Sequence, residues 1–292
     1  MGAHHKGKAA RGPPGWASAN MVDMIDPLDL AKTYPYPRPA HAYLYVDGQA
    51  LELVRIGPDP MRDGEVRLDG HTMPVADALA AFGVATPAPH AERVAMLAYG
   101  SNAAPAQLAR KFADLPGTVI PVLRAELADH DVVYSAHFSR YGAIPATLAV
   151  SPGTMLATAV VYLTVAQLTR LHETELGPAG PQSGNYVQGT LRATITVEDS
   201  SALDAVGAYA SRYGALGLTG APLALAQVAA NGRRFAAHDK LAVLELARAT
   251  LAPAKSLDEF LERLIADAGL RQAYSERMRA GAIDVTPRLD RR

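Results

Sequence analysis

The sequence predicts an α+β protein in which a curved mixed sheet or barrel is decorated by helices. Short β-branched runs bounded by turn dipeptides occupy the first two thirds of the chain, and helical periodicity with capping pairs follows toward the C-terminus. A single helix interrupts the later strands. The length of 292 residues, 49% of them hydrophobic, is sufficient to bury a full core.

Residues 1–40 carry clustered Gly, Pro, His and Lys and read as a flexible leader. Neither they nor any later stretch holds about 18 consecutive apolar residues, so no membrane partner is expected and the expected location is the cytoplasm. Residues 41–90 read as a small β-rich extension. Asp47-Gly48 separates two alternating runs, and both residues tolerate the positive φ angles of a type I′ hairpin turn. A second such turn falls at Asp69-Gly70, a short helix closes at Gly83, and the Pro-rich stretch 86–89 marks a boundary.

Residues 91–200 form the expected core. The apolar run 94–99 is a buried strand, broken by Gly100, Ser101 and Asn102, with Pro105 in the first turn of a following helix. Further strands are expected at 131–138, 146–150, 155–164 and 185–197. Residues 201–292, rich in Ala and Leu, read as a helical region packed on the core. Its helices are placed at 236–251 and after the capping pair Ser256 and Glu259, with a tail from about Gly281.

Composition narrows the chemistry. Twenty-eight basic against 29 acidic side chains leave a formal charge of -1, so the electrostatic drive for nucleic-acid binding is missing and no such partner is expected. The absence of cysteine excludes disulfide scaffolds, thiolate metal sites, iron-sulfur clusters and cysteine nucleophiles. Catalysis must therefore use oxygen or nitrogen groups.

One carboxylate stands out. Thr164 and Gln167 form a capping box that starts a helix at Val165, and Gly177 ends it. At about 100° per residue, with Leu168 at zero, Leu171 falls at about -60°, His172 at about +40° and Glu175 at about -20°. Glu175 thus shares the apolar face, whereas Glu173 lies at about 140° with Thr169 and Arg170 and is a solvated carboxylate. A carboxylate on an apolar face must be paired, hydrogen-bonded or protonated.

Other candidates weigh less. His130 and His137 are seven apart in a strand-like run and point to opposite faces, against a shared metal. His172 reads as a satisfied core histidine, and Tyr209 with Tyr213, one helical turn apart, as packing. Gly214, Gly217 and Gly220 lack the Lys-Ser/Thr ending of a phosphate loop.

The blocks AYGSN (98–102), DVVYSAHF (131–138), IPATLAVSPGT (144–154), VVYLTVAQLTRLHETE (160–175) and GNYV (184–187) resemble, in order and spacing, the γ-glutamylcyclotransferase-like family. The resemblance covers about 110 residues and implies that family's mixed barrel with surrounding helices. It also implies a cavity walled by Tyr99, Gly100, Ser101 and Asn102, with Tyr186 as a further substrate contact. The family's L-x-x-x-E acid-base glutamate matches Leu171 to Glu175, the residue the helix geometry singles out. His172 and Leu176 depart from the family's aspartate and glycine at those positions. The implied reaction releases 5-oxoproline and a free amine from a small γ-glutamyl substrate, with no metal or cofactor. The alternative is a non-catalytic small-molecule binding or regulatory module on the same fold.

Overall fold

The structure is a computed structural model that describes residues 26–85, 88–177, 184–199 and 201–290. The chain enters through α1 (Pro27–Thr33) and two hairpins, β1 (Tyr43–Val46) with β2 (Gln49–Arg55) and β3 (Glu65–Leu68) with β4 (His71–Pro74), before α2 (Val75–Ala81). Asp47 and Asp69 take φ of 41° and 51°, and the glycines after them 95° and 81°, the expected hairpin geometry.

Next come β5 (Val94–Leu97), α3 (Pro105–Lys111), the long strands β6 (Val119–Tyr134) and β7 (Ala146–Leu163), α4 (Val165–Leu176), β8 (Tyr186–Val197) and β9 (Ala202–Ser211). β7 pairs with β5 and β6, β5 with β9, β9 with β8, and β8 with β6, which closes a five-stranded barrel. Its core takes Leu97, Leu123, Leu156, Leu191 and Val206, one from each strand, so the small barrel is filled by side chains. The free edge of β6 is shared: β1 pairs at 119–122, β8 at 125–127, and the short β10 (Ala224–Leu225) at Val133. Thus the hairpins extend the barrel sheet outward. β11 (Ala230–Asn231), β12 (Ala237–His238), α5 (Lys240–Leu251), α6 (Leu257–Ala266) and α7 (Ala268–Arg279) complete the fold.

Several expectations are corrected. Residues 26–40 are no leader, because Asp26 caps α1 and Ala31, Tyr34 and Tyr36 are buried in the main core; residues 1–25 lie outside the described residues. Residues 202–211 are not helical but supply β9, without which the barrel would not close. The local helix preference of alanine is overridden there by pairing with β5 and β8, which is so close that a Cβ at Gly207 would meet the Met96 sulfur at 2.2 Å. The barrel core therefore runs to Ser211, and helices resume only at Lys240.

β6 begins at Val119, twelve residues before the expected strand, because Arg124 and Glu126 alternate with buried Leu123, Ala125 and Leu127. The two strands expected at 146–150 and 155–164 are one, carried through Gly153 at φ 81°. The tail is stitched down: Asp290 and Thr190 exchange backbone hydrogen bonds at 2.8 and 2.9 Å, and Ile283 pairs with Ala215. It also explains one glycine cluster, since a Cβ at Gly217 would lie 2.1 Å from the Gly281 carbonyl. The boundary expected at 86–89 lies partly outside the described residues. Among the described residues no helix is long and apolar enough to cross a membrane.

Candidate active site

A cavity of about 1620 Å³ opens where the loop after β5, the last turn of α3, the end of α4 and the start of β8 meet. It is lined by Tyr99, Gly100, Ser101, Asn102, Glu175 and Tyr186, so the structure brings together all six residues singled out in the sequence. Tyr34, Arg110, Lys111, His137, Tyr141, Ala146 and Tyr209 also line it.

α4 forms as expected, with both halves of the Thr164 and Gln167 capping box present and Gly177 at its end. Its two glutamates separate as the geometry predicts. Glu173 is exposed and pairs with Arg170 at 3.1 Å, whereas the Glu175 side chain keeps only 15% of its exposure. Glu175 Oε1 accepts a hydrogen bond from Asn102 Nδ2 at 3.0 Å and forms a close ion pair with Lys111 Nζ. Its Oε2 accepts no hydrogen bond among the described residues. Its contacts with Asn102 and Lys111 are how this fold accommodates the carboxylate. Gly184 sets the backbone beneath it, because a Cβ there would come within 2.4 Å of the Glu175 carbonyl oxygen.

Lys111 escaped the sequence reading. A lysine in the last turn of a helix is ordinarily a solvated partner of the helix dipole, and only packing of α3 against α4 buries this one.

Opposite Glu175, residues Ser101–Ala103 form a single 3-10 turn after Gly100. The N–H groups of Gly100, Ser101 and Asn102 donate to no acceptor among the described residues. The turn is held by the Tyr43 hydroxyl, which donates to the Ala103 carbonyl at 2.9 Å. A Cβ at Gly100 would sit 3.1 Å from the Tyr34 hydroxyl, so glycine permits that close approach.

The tyrosine hydroxyls bond the backbone around the cavity. The Tyr99 hydroxyl donates to the Tyr209 carbonyl and that of Tyr186 to the Ala146 carbonyl, each at 2.9 Å, so neither serves Glu175. Tyr34, from the segment read as a leader, accepts the Ala146 N–H at 2.8 Å and keeps its own proton uncommitted among the described residues. Burial, reinforced by the Glu175 charge, pushes the phenols of Tyr34, Tyr99 and Tyr186 well above their ordinary value. All three are therefore neutral phenols.

The three histidines singled out in the sequence are satisfied. His172 Nδ1 lies 2.7 Å from the Tyr209 hydroxyl, and burial lowers its pKa. His137 is fully enclosed against Ser135, at 2.8 Å, and burial with the nearby Arg279 charge pushes it down to about 3. His130 bonds the Ala128 carbonyl at 2.7 Å, away from the cavity. Tyr209 and Tyr213 are not a helical pair: Tyr209 lies on β9 and Tyr213 follows it.

No protein-family model matches the chain, and no curated protein matches it. Among solved structures it is similar to a gamma-glutamyl cyclotransferase, at 16% identity over 63% of this chain and 99% of that one, with a TM-score of 0.32. It is also similar to an uncharacterized protein from Homo sapiens, at 18% identity over 68% and 94% of the two chains, with a TM-score of 0.31. A protein from Arabidopsis thaliana, solved in solution, matches at 19% identity over 41% and 70%, again with a TM-score of 0.31.

Proposed function

We propose that the protein cleaves a small γ-glutamyl amide by intramolecular attack, releasing 5-oxoproline and a free amine. The observation that carries this reading is one cavity holding the uncommitted Oε2 of Glu175 and the unpaired N–H groups of Gly100, Ser101 and Asn102. The nucleophile belongs to the substrate, so folding the glutamyl chain supplies effective molarity and no protein nucleophile is needed.

The substrate's α-ammonium gives a proton to Glu175 Oε2, and its nitrogen then attacks the γ-carbonyl carbon to form a five-membered ring. The developing oxyanion takes hydrogen bonds from the loop amides and the Tyr34 hydroxyl. Glu175 returns its proton to the departing nitrogen as the old C–N bond breaks. A second proton follows the same route from the ring nitrogen, leaving a lactam and an ammonium product. Lys111 anchors Oε1, so that Oε2 faces the substrate, and its positive charge disfavours retention of a proton by a neighbouring ammonium. Tyr99 and Tyr186 shape the walls.

A non-catalytic binding module is the second reading, favoured by Lys111 already neutralising Glu175. One assay separates the two. Purified protein is incubated with a panel of γ-glutamyl amides, and 5-oxoproline is followed by mass spectrometry. Turnover is expected, with Glu175→Gln lowering kcat by about 10²–10⁴ while the fold is kept. Equal turnover by both proteins would refute the mechanism. Binding without product by the wild type would establish the module.

A further inference from the structure

A second cavity, of about 590 Å³, lies on the other side of the 34–43 segment and shares no lining residue with the first. It falls within the size range of small-molecule sites, about 300–1,000 Å³. Its walls hold Arg38, Arg124 and Lys240 and no carboxylate.

Three polar groups there have no partner among the described residues, and two of them are buried oxygens. Among the described residues the Arg38 guanidinium makes no hydrogen bond or ion pair, and burial pushes its pKa down. Thr158, 6% exposed, has an Oγ1 with no partner. Gln227 donates Nε2 to Asp239 at 2.6 Å, which fixes the orientation of its amide and leaves a buried Oε1 that accepts nothing. A half-buried cation without a partner beside two buried, orphaned oxygens is costly, and a ligand that satisfies all three offsets that cost. The cation stands on a stiff support, because Pro35, Pro37 and Pro39 restrict the backbone around Arg38.

We propose that this cavity binds a small organic anion that also carries a hydroxyl or amino group. The guanidinium takes the carboxylate or phosphate in its planar fork, with Lys240 adding positive potential at the rim. Gln227 Oε1 accepts the ligand's O–H or N–H, and the Thr158 hydroxyl takes either role. A simple carboxylate such as acetate leaves Gln227 unsatisfied, and a neutral polyol leaves Arg38 unsatisfied.

Isothermal calorimetry on the full chain tests this with glycerol 3-phosphate, glycerate, inorganic phosphate, acetate and glycerol. Saturable binding is expected for glycerol 3-phosphate or glycerate, and which of the two is tighter identifies the anionic group. Phosphate and acetate should bind more weakly, and glycerol not at all. Arg38→Met should weaken the tighter ligand by at least about tenfold. Thr158→Val, nearly isosteric, should weaken it measurably and decides the matter if Arg38→Met fails to fold by circular dichroism. Glu175→Gln should leave it unchanged. Absence of saturable binding by either hydroxylated anion would overturn the proposal. So would binding indifferent to the Arg38 and Thr158 changes, or binding lost in Glu175→Gln, which would place the anion in the first cavity.

Discussion

Tyr34 shows how much one hydroxyl can connect. It accepts a backbone N–H from Ala146 at the start of β7, abuts Gly100 on the loop opposite Glu175, and comes from a segment that composition alone assigns to a leader. Tyr34→Phe leaves the Ala146 N–H buried and unpaired, so urea titration should show a loss of about 1–3 kcal/mol. The same change removes a donor from the proposed oxyanion site, so kcat/KM for γ-glutamyl cleavage should fall by more than the stability loss accounts for, by about 10²-fold. Glu175 was legible at this scale because helical phase depends only on spacing. Lys111, its partner, was not, since burial of a helix-terminal lysine depends on which helix packs beside it.

Among elements, β6 carries the most connections, and its outer half is pinned by a buried ion pair. Asp131 is fully buried and meets Arg233 Nε at 2.9 Å, while Arg233 Nη2 donates to the Val228 carbonyl at 2.7 Å, tying the loop between β11 and β12 to the strand. Arg233→Met strands the carboxylate and should cost about 3–5 kcal/mol, read as a shift in denaturant midpoint. Adding Asp131→Asn to that variant should recover part of the loss. α4 was legible because its capping box and glycine stop are local signals. β9 was not, because its alanines favour a helix locally, and pairing with β5 and β8 overrides that preference.

For the whole molecule, enclosed neutral histidines set the response to acid. His137 is held at about 3 in the folded protein against an ordinary 6.5, so between these values the unfolded chain binds the additional proton. Its contribution is fully present above pH 6.5 and is lost as pH falls toward about 3, with a slope of at most about 1.4 kcal/mol per pH unit. Burial lowers His90 and His172 in the same direction. Urea midpoints measured from neutral to mildly acidic pH should fall for the wild type and fall less steeply for His137→Gln. Equal slopes would remove His137 as the source.

Local chemistry in the chain determined the hairpin turns, the capped helices, the phase of Glu175 and the glycine break before Ser101, because turns, caps and helical phase depend on residues only a few positions apart. Tertiary structure alone decided that β9 closes the barrel, that Tyr34 and Lys111 enter the cavity, and that residues 283–290 return to Ala215 and Thr190. Each of those outcomes depends on partners tens of residues away, where burial and strand pairing outweigh the local preferences of Ala, Lys and a proline-rich stretch.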